Sequence, residues 1–403
     1  MKKNILIISI YYPPIPSIAS NRIESFAKYL DKEKYNVYVH TISAESEQPL
    51  ENVTVSRAQN NLFFKPLLFT KRTNKLIHYS KVIYNKLVNH FFSNPYRAWI
   101  DESLTILPTF VKEKDIDIIL STFAPTAPHL VALELKKKYP NIKWIADMRD
   151  EMSMGVGLSS KIKLDYEKLE REIFTYADAL VSVSKPIVDE FKAMKHNRNM
   201  LFHEIRNGYD FEIEETKNNN EYFTISYTGN FYGEINPTNF LIALKKFIFK
   251  NQDVKIKVQF VGVKTHFYLS EKLEDIVFII PSVKHNKAIE IMKDSDALLL
   301  IHPSNGRKGV FTGKLFEYLG VLTPIIALVD EKDVAAKLIK QVNAGYVTDN
   351  TNVEMIQEII NKLYNEYREN SKREFDMNLI KKHHRKEQVK RLEKLIEELT
   401  GEK

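Results

Sequence analysis

The residues best suited to chemistry are concentrated in Asn305–Pro324, the run NGRKGVFTGKLFEYLGVLTP. Gly306, Gly309 and Gly313 carry no Cβ, so their backbone can approach a ligand closely. Arg307, Lys308 and Lys314 add three cations. The apolar run Ala297–Ile301 reads as a strand ahead of this loop, and a helix is predicted to begin near Thr312. A helix start offers unpaired N–H groups and the positive end of its dipole. These three sources of positive potential suit a diphosphate. Glu317 lies one helical turn beyond Lys314 on the same face, where a carboxylate can accept from the two hydroxyls of a ribose. The order of glycine, lysine and Ser/Thr that defines a P-loop is missing, and so is a dinucleotide fingerprint. A plainer description also fits these residues: a Gly-rich turn before a helix, with a surface Lys–Glu pair worth a few tenths of a kcal/mol.

Residues 1–210 alternate short apolar runs with helical periodicity. Strands are expected at Asn4–Ile10, Tyr35–Ile42, Ile116–Ser121, Lys143–Asp147 and Ala179–Ser184, with helices at Ala19–Leu30, Ala127–Lys138 and Lys161–Ala177 and another from Pro186. Residues 211–222, polar and Asn-rich, read as a linker. The pattern then restarts over 223–375, with strands at Phe223–Tyr227, Ile256–Val261, Val277–Ile280, Ala297–Ile301 and Pro324–Leu328. Such alternation implies parallel sheets covered on both faces. The expected fold class is α/β, with two doubly wound Rossmann-like domains facing a central cleft. In sheets of this kind ligands bind beyond the carboxyl ends of the strands. Residues 376–403 read as a charged amphipathic helix, apolar at Ile380, Val389, Leu392, Leu395, Ile396 and Leu399, and expected to pack back on the N-terminal domain.

At 403 residues the chain suits two domains, and 44% apolar residues suffice for two cores. With no Cys, disulfides and thiolate chemistry are excluded. The start, MKKNILIISIYYPP, reads as a first buried strand rather than a signal peptide. No window approaches the roughly 20 apolar residues of a membrane span. A cytoplasmic location follows as an expectation. The net charge of +7 allows phosphorylated substrates, an anionic membrane or nucleic acid.

Residues 52–100 contain no Asp or Glu. They hold Arg57, Lys65, Lys71, Arg72, Lys75, Lys81, Lys86 and Arg97 among aromatics that include Phe63, Phe64, Phe69, Tyr79, Tyr84, Phe91, Phe92, Tyr96 and Trp99. Leu76, Ile83, Leu87 and Phe91 recur at helical spacing. A cationic aromatic helical insertion at about 60–100 suits the inner face of an anionic membrane; the alternative is a core-packed insertion with a solvated basic face. No recognised nucleic-acid motif accompanies it, and nucleic acid is not an expected partner.

The run GKLFEYLGVLTPIIAL resembles the signature of retaining glycosyltransferase family 4, whose GT-B fold joins a glycosyltransferase 4-like N-terminal domain to a group 1 C-terminal domain. ILIISIYYPPIPSIASNRIESFAKYL, ILSTFAPTAPHL, WIADMRDEM, VSVSKPIVDEF, EIRNGYD and ISYTGNFYGEINPTNFLIAL resemble further motifs of that family in the same order, from about Ile5 to Asp349. The resemblance implies transfer of a sugar from a nucleotide-sugar donor, a UDP- or GDP-sugar, to a glycan or lipid-linked acceptor with retention, as in bacterial surface polysaccharide synthesis. It implies Glu317 on the donor ribose, Lys314 on the diphosphate, and Gly229 and Asn230 at the start of the donor site. Arg307, Lys308, Gly309, Phe311, Thr312, Gly313 and Leu315 complete the donor-binding set. Where the family has the first of its paired glutamates, this chain has Gly309, so that contact falls to backbone or to Arg307, Lys308 or Phe311. The basic residue many relatives carry after the first donor-domain strand is replaced by Glu234, Asn236 and Pro237.

On the acceptor side the candidates are Pro16, Ser17, Asn21, Arg22, His129, Arg149 and Asp150. Pro16 and Ser17 form either a stiff turn or a ligand loop. His129 is either structural or catalytic. Arg149 and Asp150 follow the strand KWIAD and are either cleft residues or a loop brace. The residues expected to carry catalysis are Lys314, Glu317, Arg307 and Asp150, and the resemblance implies cations and helix N–H groups stabilising the leaving diphosphate. No metal or other cofactor is expected: Asp115-Ile116-Asp117 has the DxD spelling but opens a strand. The rival readings are a sugar-nucleotide epimerase on the same scaffold, a nucleic-acid-binding protein, and a non-catalytic membrane scaffold.

Overall fold

The computed structural model describes residues 2–44, 50, 52–61, 79–85, 87, 95–155, 157–194, 200–214, 220–233, 235–251, 253–302 and 309–401. Arg307, Lys308 and Glu234 lie outside the described residues, as does most of the basic aromatic stretch, including Phe63, Phe64, Phe69, Leu76, Lys86, Phe91 and Phe92. The chain forms two compact units, Met1–Arg206 with Gln388–Lys403, and Asn207–Glu387.

The first unit contains strands β1 (Lys3–Ile8), β2 (Tyr35–Ile42), β3 (Val53–Ala58), β4 (Ile118–Phe123), β5 (Lys143–Met148), β6 (Ala179–Ser182) and β7 (Leu201–Glu204). They form one seven-stranded sheet in the order β3-β2-β1-β4-β5-β6-β7. Every pairing in it is parallel. Its helices are α1 (Ile18–Tyr29), α2 (Arg97–Glu113), α3 (Ala127–Lys138), α4 (Ser160–Tyr176) and α5 (Lys185–Ala193). Successive strand residues serve opposite faces. Leu6, Ile8, Ile119 and Trp144 belong to one core; Ile5, Ile7, Ile118 and Ile145 belong to another. That is why the central strands are apolar throughout rather than alternating.

The second unit contains β8 (Phe223–Thr228), α6 (Thr238–Lys250), β9 (Ile256–Val261), α7 (Glu271–Glu274), β10 (Val277–Ile280), α8 (His285–Lys293), β11 (Ala297–Ile301), α9 (Gly313–Gly320), β12 (Ile325–Leu328), α10 (Val334–Gln341), β13 (Gly345–Thr348), α11 (Val353–Arg368) and α12 (Met377–Lys381). Its parallel sheet runs β10-β9-β8-β11-β12-β13. In both sheets the strand order reverses beside the unit's first strand, at β1/β4 and at β8/β11. Crevices at the carboxyl ends of such reversals are where doubly wound sheets bind ligands.

The tail differs from the single helix expected. Residues Lys382–His384 interrupt it, and α13 (Arg385–Thr400) follows. The apolar positions divide accordingly. Ile380 packs in the second unit, while Val389, Leu392, Leu395 and Ile396 complete the first unit's core. Strands β3, β7 and β13 and helix α2 were not expected. β3, β7 and β13 are edge strands of four to six residues with little full burial, so their apolar signal is weak. Two aromatics of the basic stretch prove to be core: Tyr96 is buried, and Trp99 is buried against His40 with ring centres 5.4 Å apart. Residues 79–85 are helical, and Tyr79, Ile83 and Leu87 are exposed.

Candidate functional site

The second unit's site is built where β8 and β11 end. After β8 the chain turns at Gly229, whose φ of 116° lies in the region that favours glycine. A Cβ there would stand 3.1 Å from the Lys314 ammonium. Glycine is therefore required both by the turn and by the side chain lying across it. Lys314 enters from the first turn of α9, and its Nζ sits 3.8 Å from the centre of the Tyr227 ring. It forms no ion pair with Glu317 or any other carboxylate among the described residues. The plain surface-pair description therefore does not apply. Burial pushes the Lys314 amine down to about 7, and the Glu317 charge only partly offsets this. A desolvated cation held on an aromatic face, with no carboxylate bound to it, is prepared for an anion from outside the protein.

The neighbouring groups fix this arrangement. Thr312 precedes α9 and makes no side-chain cap. Its hydroxyl instead pairs with His302 Nε2 at 3.1 Å, directly after β11. Burial, and then the Lys314 charge, hold His302 down to about 4, so its ring is neutral near pH 7. The Gly313 and Lys314 N–H groups have no acceptor among the described residues. They are open donors at the positive end of α9. The buried Tyr318 hydroxyl accepts from Thr228 N at 3.2 Å and donates to Leu299 O at 3.3 Å, tying α9 to both strands. Glu317 is mostly buried, and burial raises its carboxyl above the usual range. His285, Arg385 and Lys314 oppose that rise, and His285 Nε2 lies 3.7 Å from Glu317 Oε1.

Other predicted donor residues take structural places. Asn230 Oδ1 accepts from the N–H groups of Lys264 and Thr265 at 2.7 and 3.3 Å, stapling the loop after β8 to the loop after β9. Gly309 has φ 80°, and its N–H donates to Asp333 Oδ1 at 2.7 Å. That donor is thus already engaged, which weighs against Gly309's backbone making the expected sugar contact. Phe311 and Leu315 are buried in the second unit's core, Phe311 with its ring 5.3 Å from Phe316. Both side chains are taken up by that core, Leu315 from α9 and Phe311 from the segment before it.

In the first unit the predicted residues split into two groups. Arg22, Arg149 and His129 gather at the carboxyl ends of β4 and β5, together with Asp147 and Thr122, which the sequence reading missed. Arg22 donates from Nε and Nη2 to the two Asp147 oxygens, each at 2.9 Å, and both residues are buried. Its Nη1 donates to Arg206 O at 3.2 Å. Thr122 Oγ1 donates to Asp147 Oδ2 at 3.0 Å. Arg149 donates from Nε to Thr122 Oγ1 and from Nη2 to Ala124 O, both at 3.0 Å. His129 is buried, its Nδ1 2.7 Å from Ser121 Oγ, which also accepts from Trp144 Nε1 at 2.8 Å. Burial holds His129 down to about 3, so it is a neutral core residue rather than a proton shuttle near pH 7.

The remaining candidates lie at the start of α1 and just past Arg149, whose charged form Asp150 helps to stabilise. Ser17 caps α1, accepting from Ser20 N at 2.9 Å, and Asn21 donates its N–H to Ser17 O within the same first turn. Pro16 and Asp150 are exposed. The Asp115/Asp117 pair lies at the amino ends of the strands, where Asp117 Oδ2 accepts from Asn4 N at 2.8 Å. Asp147 was legible in principle: a lone carboxylate inside the apolar run KWIADM needs a buried partner.

Residues 209–386 match the family model described as Glycosyl transferases group 1. No curated sequence matches the chain at a significant level. Solved structures resemble it along their whole length. Sucrose-phosphate synthase from Thermosynechococcus elongatus superposes with a TM-score of 0.62 at 11% identity, covering 100% of both chains. A structure described as trehalose-6-phosphate from E. coli bound with UDP-2-fluoro glucose gives 0.61 at 11%, covering 98% of this chain and 99% of that one. Arabidopsis thaliana UGT89C1 complexed with UDP-L-rhamnose gives 0.55 at 13%, covering 99% of each. At these identities the likeness establishes the fold, which is the GT-B type with two Rossmann-like sheets.

Proposed function

We propose that the chain is a glycosyltransferase that binds a nucleotide-sugar donor on its second unit and transfers the sugar, with retention, to a glycan or lipid-linked acceptor. One observation carries this reading: the Lys314 ammonium crosses Gly229 at the β8/β11 reversal beside the open N-terminus of α9. The donor diphosphate bridges Lys314 Nζ and the Gly313 and Lys314 N–H groups. Glu317, one turn further along α9, accepts from the donor ribose hydroxyls. As the bond from the anomeric carbon to the diphosphate breaks, negative charge grows on the leaving oxygen. The preorganised ammonium and N–H groups stabilise that charge without reorganising. Because this donor set supplies the positive potential, the reaction runs without a divalent ion. The match of residues 209–386 to the group 1 model supports the reading, as do the UDP-sugars named in the two structures above. The basic stretch at 52–100, with Tyr79, Ile83 and Leu87 exposed, supports peripheral contact with the inner face of an anionic membrane and a place in bacterial surface polysaccharide synthesis.

The test is a panel of UDP-, GDP- and other activated sugars, read by protection against thermal unfolding and by release of nucleoside diphosphate. One donor class should protect the wild type and not Lys314→Ala. Equal protection of that variant, with its fold intact, rejects the site.

A further inference from the structure

The charges at the β1/β4 reversal do not balance locally. Asp147 is the buried carboxylate of β5, and Arg22 and Thr122 occupy it; Glu151, also buried just beyond Arg149, forms no ion pair with it. Arg149 is left with two neutral acceptors, Thr122 Oγ1 and Ala124 O. It forms no ion pair among the described residues. Asp150, which follows it, is exposed and therefore screened. Burial lowers the Arg149 value, and Asp147 and Asp150 only partly restore it. A half-buried guanidinium without a bound carboxylate is costly to keep.

Its geometry shows what it is kept for. A guanidinium has five N–H donors in a rigid plane. Nε–H and one Nη2–H, the side edge, are tied to the protein. The end-on edge, Nη1–H with the second Nη2–H, has no partner among the described residues. Thr122 is itself held by Asp147, so the fork cannot swing to another position. A clamped, open fork binds two oxygens of an oxyanion at once.

We propose that Arg149 binds the phosphate of a phosphorylated acceptor, so that the first unit recognises a sugar phosphate or lipid phosphate rather than a neutral glycan. This rests on the acceptor being taken by the first unit, and it narrows the acceptor's chemical class. No covalent step is assigned to Arg149; it is an anion-binding residue.

The experiment uses the full chain carrying Lys314→Met, which disables the donor diphosphate contact, so that phosphate binding reports on the other unit. Inorganic phosphate and a hexose 1-phosphate are titrated by calorimetry. Binding to vesicles of neutral lipid, with and without a polyprenyl phosphate, is measured by flotation. Phosphate binding should persist in the Lys314→Met chain, weaken about tenfold or more when Arg149→Gln is added, and recover in part with Arg149→Lys. Binding of the soluble hexose phosphate identifies that source, and binding only to doped vesicles identifies the lipid. Undiminished phosphate binding with Arg149→Gln overturns the proposal, as does no phosphate binding to either source or equal affinity for glucuronate. UDP binding by Arg149→Gln alone is measured in parallel and should match wild type. Loss of UDP binding in wild type would instead strike the donor reading, so the two failures are distinguishable.

Discussion

Donor binding should take up a proton. In the free protein the Lys314 amine is held at about 7 by burial. A bound diphosphate supplies the missing counter-charge and returns it toward 10.5, the ordinary value. Only the protonated form makes the contact, so apparent affinity scales with the protonated fraction of the free protein. That fraction is about one half at pH 7, about one tenth at pH 8 and about 3% at pH 8.5. Affinity for a nucleotide-sugar should therefore fall about 25-fold between pH 6.5 and 8.5. Proton uptake should rise from about 0.25 per site at pH 6.5 to about 0.9 at pH 8. The sign is opposite to that of a carboxylate in the site, whose ionisation would release protons on being paired with a cation.

Isothermal titration with the donor sugar, in buffers of different ionisation enthalpy at pH 6.5, 7.5 and 8.5, measures both quantities. A nucleotide diphosphate sugar has no phosphate group titrating in this range, so uptake must come from the protein. Lys314→Arg is the decisive control: it keeps a cation at every pH, and should retain binding while losing both the pH dependence and the uptake. Affinity that stays flat from pH 6.5 to 8.5 in the wild type refutes the argument, as does uptake that survives in Lys314→Arg.

Removing this buried charge should also stabilise the fold. Lys314→Met is expected to raise the stability of the second unit by about 1–2 kcal/mol at pH 6; because the native amine titrates below its unfolded value, that gain should shrink as pH rises through 7 toward 10.5, which urea melts at several pH values would show. Gly229→Ala places a Cβ at φ 116° and 3.1 Å from the ammonium, so it should cost about 1–3 kcal/mol and reduce turnover, measured by thermal melting and nucleotide release. Asp147→Asn removes the carboxylate from the buried Arg22 and should cost about 3–5 kcal/mol in the first unit's unfolding transition. If Glu317 accepts from the ribose, wild type should bind UDP more tightly than its 2′-deoxy analogue, and Glu317→Gln should erase most of that preference; an unchanged preference assigns Glu317 elsewhere.

The sheets were legible because their central strands are uninterrupted apolar runs, such as ALLLI at Ala297–Ile301, buried on both faces. Edge strands were not. In β3, VTVSRA, two of six residues are fully buried, so the run carries little apolar signal of its own beside the helical insertion expected at about 60–100. In the site, Lys314 and Glu317 were visible because one helical turn separates them from each other and a Gly-rich loop precedes them. The residues that give Lys314 its properties were invisible for a physical reason. Tyr227 reaches α9 from β8 and His302 from the end of β11, and sequence spacing encodes only contacts within one element. Arg22 and Asp147 lie 125 positions apart and meet because the sheet sets β1, β4 and β5 side by side.

The two strand-order reversals treat buried charge differently. At β1/β4 an arginine and an aspartate neutralise each other almost completely, and the second arginine is clamped by neutral oxygens with one edge open. At β8/β11 the lysine is given an aromatic face and a neutral imidazole nearby, with its carboxylate neighbour kept out of contact. A scaffold selected for stability alone would pair Arg149 and Lys314 or replace both with apolar residues. Each is instead fixed in place and left electrically incomplete. Leaving a cation without a bound carboxylate costs stability, which a bound oxyanion would offset. The same reasoning that places a donor diphosphate on Lys314 therefore asks for a second oxyanion at Arg149.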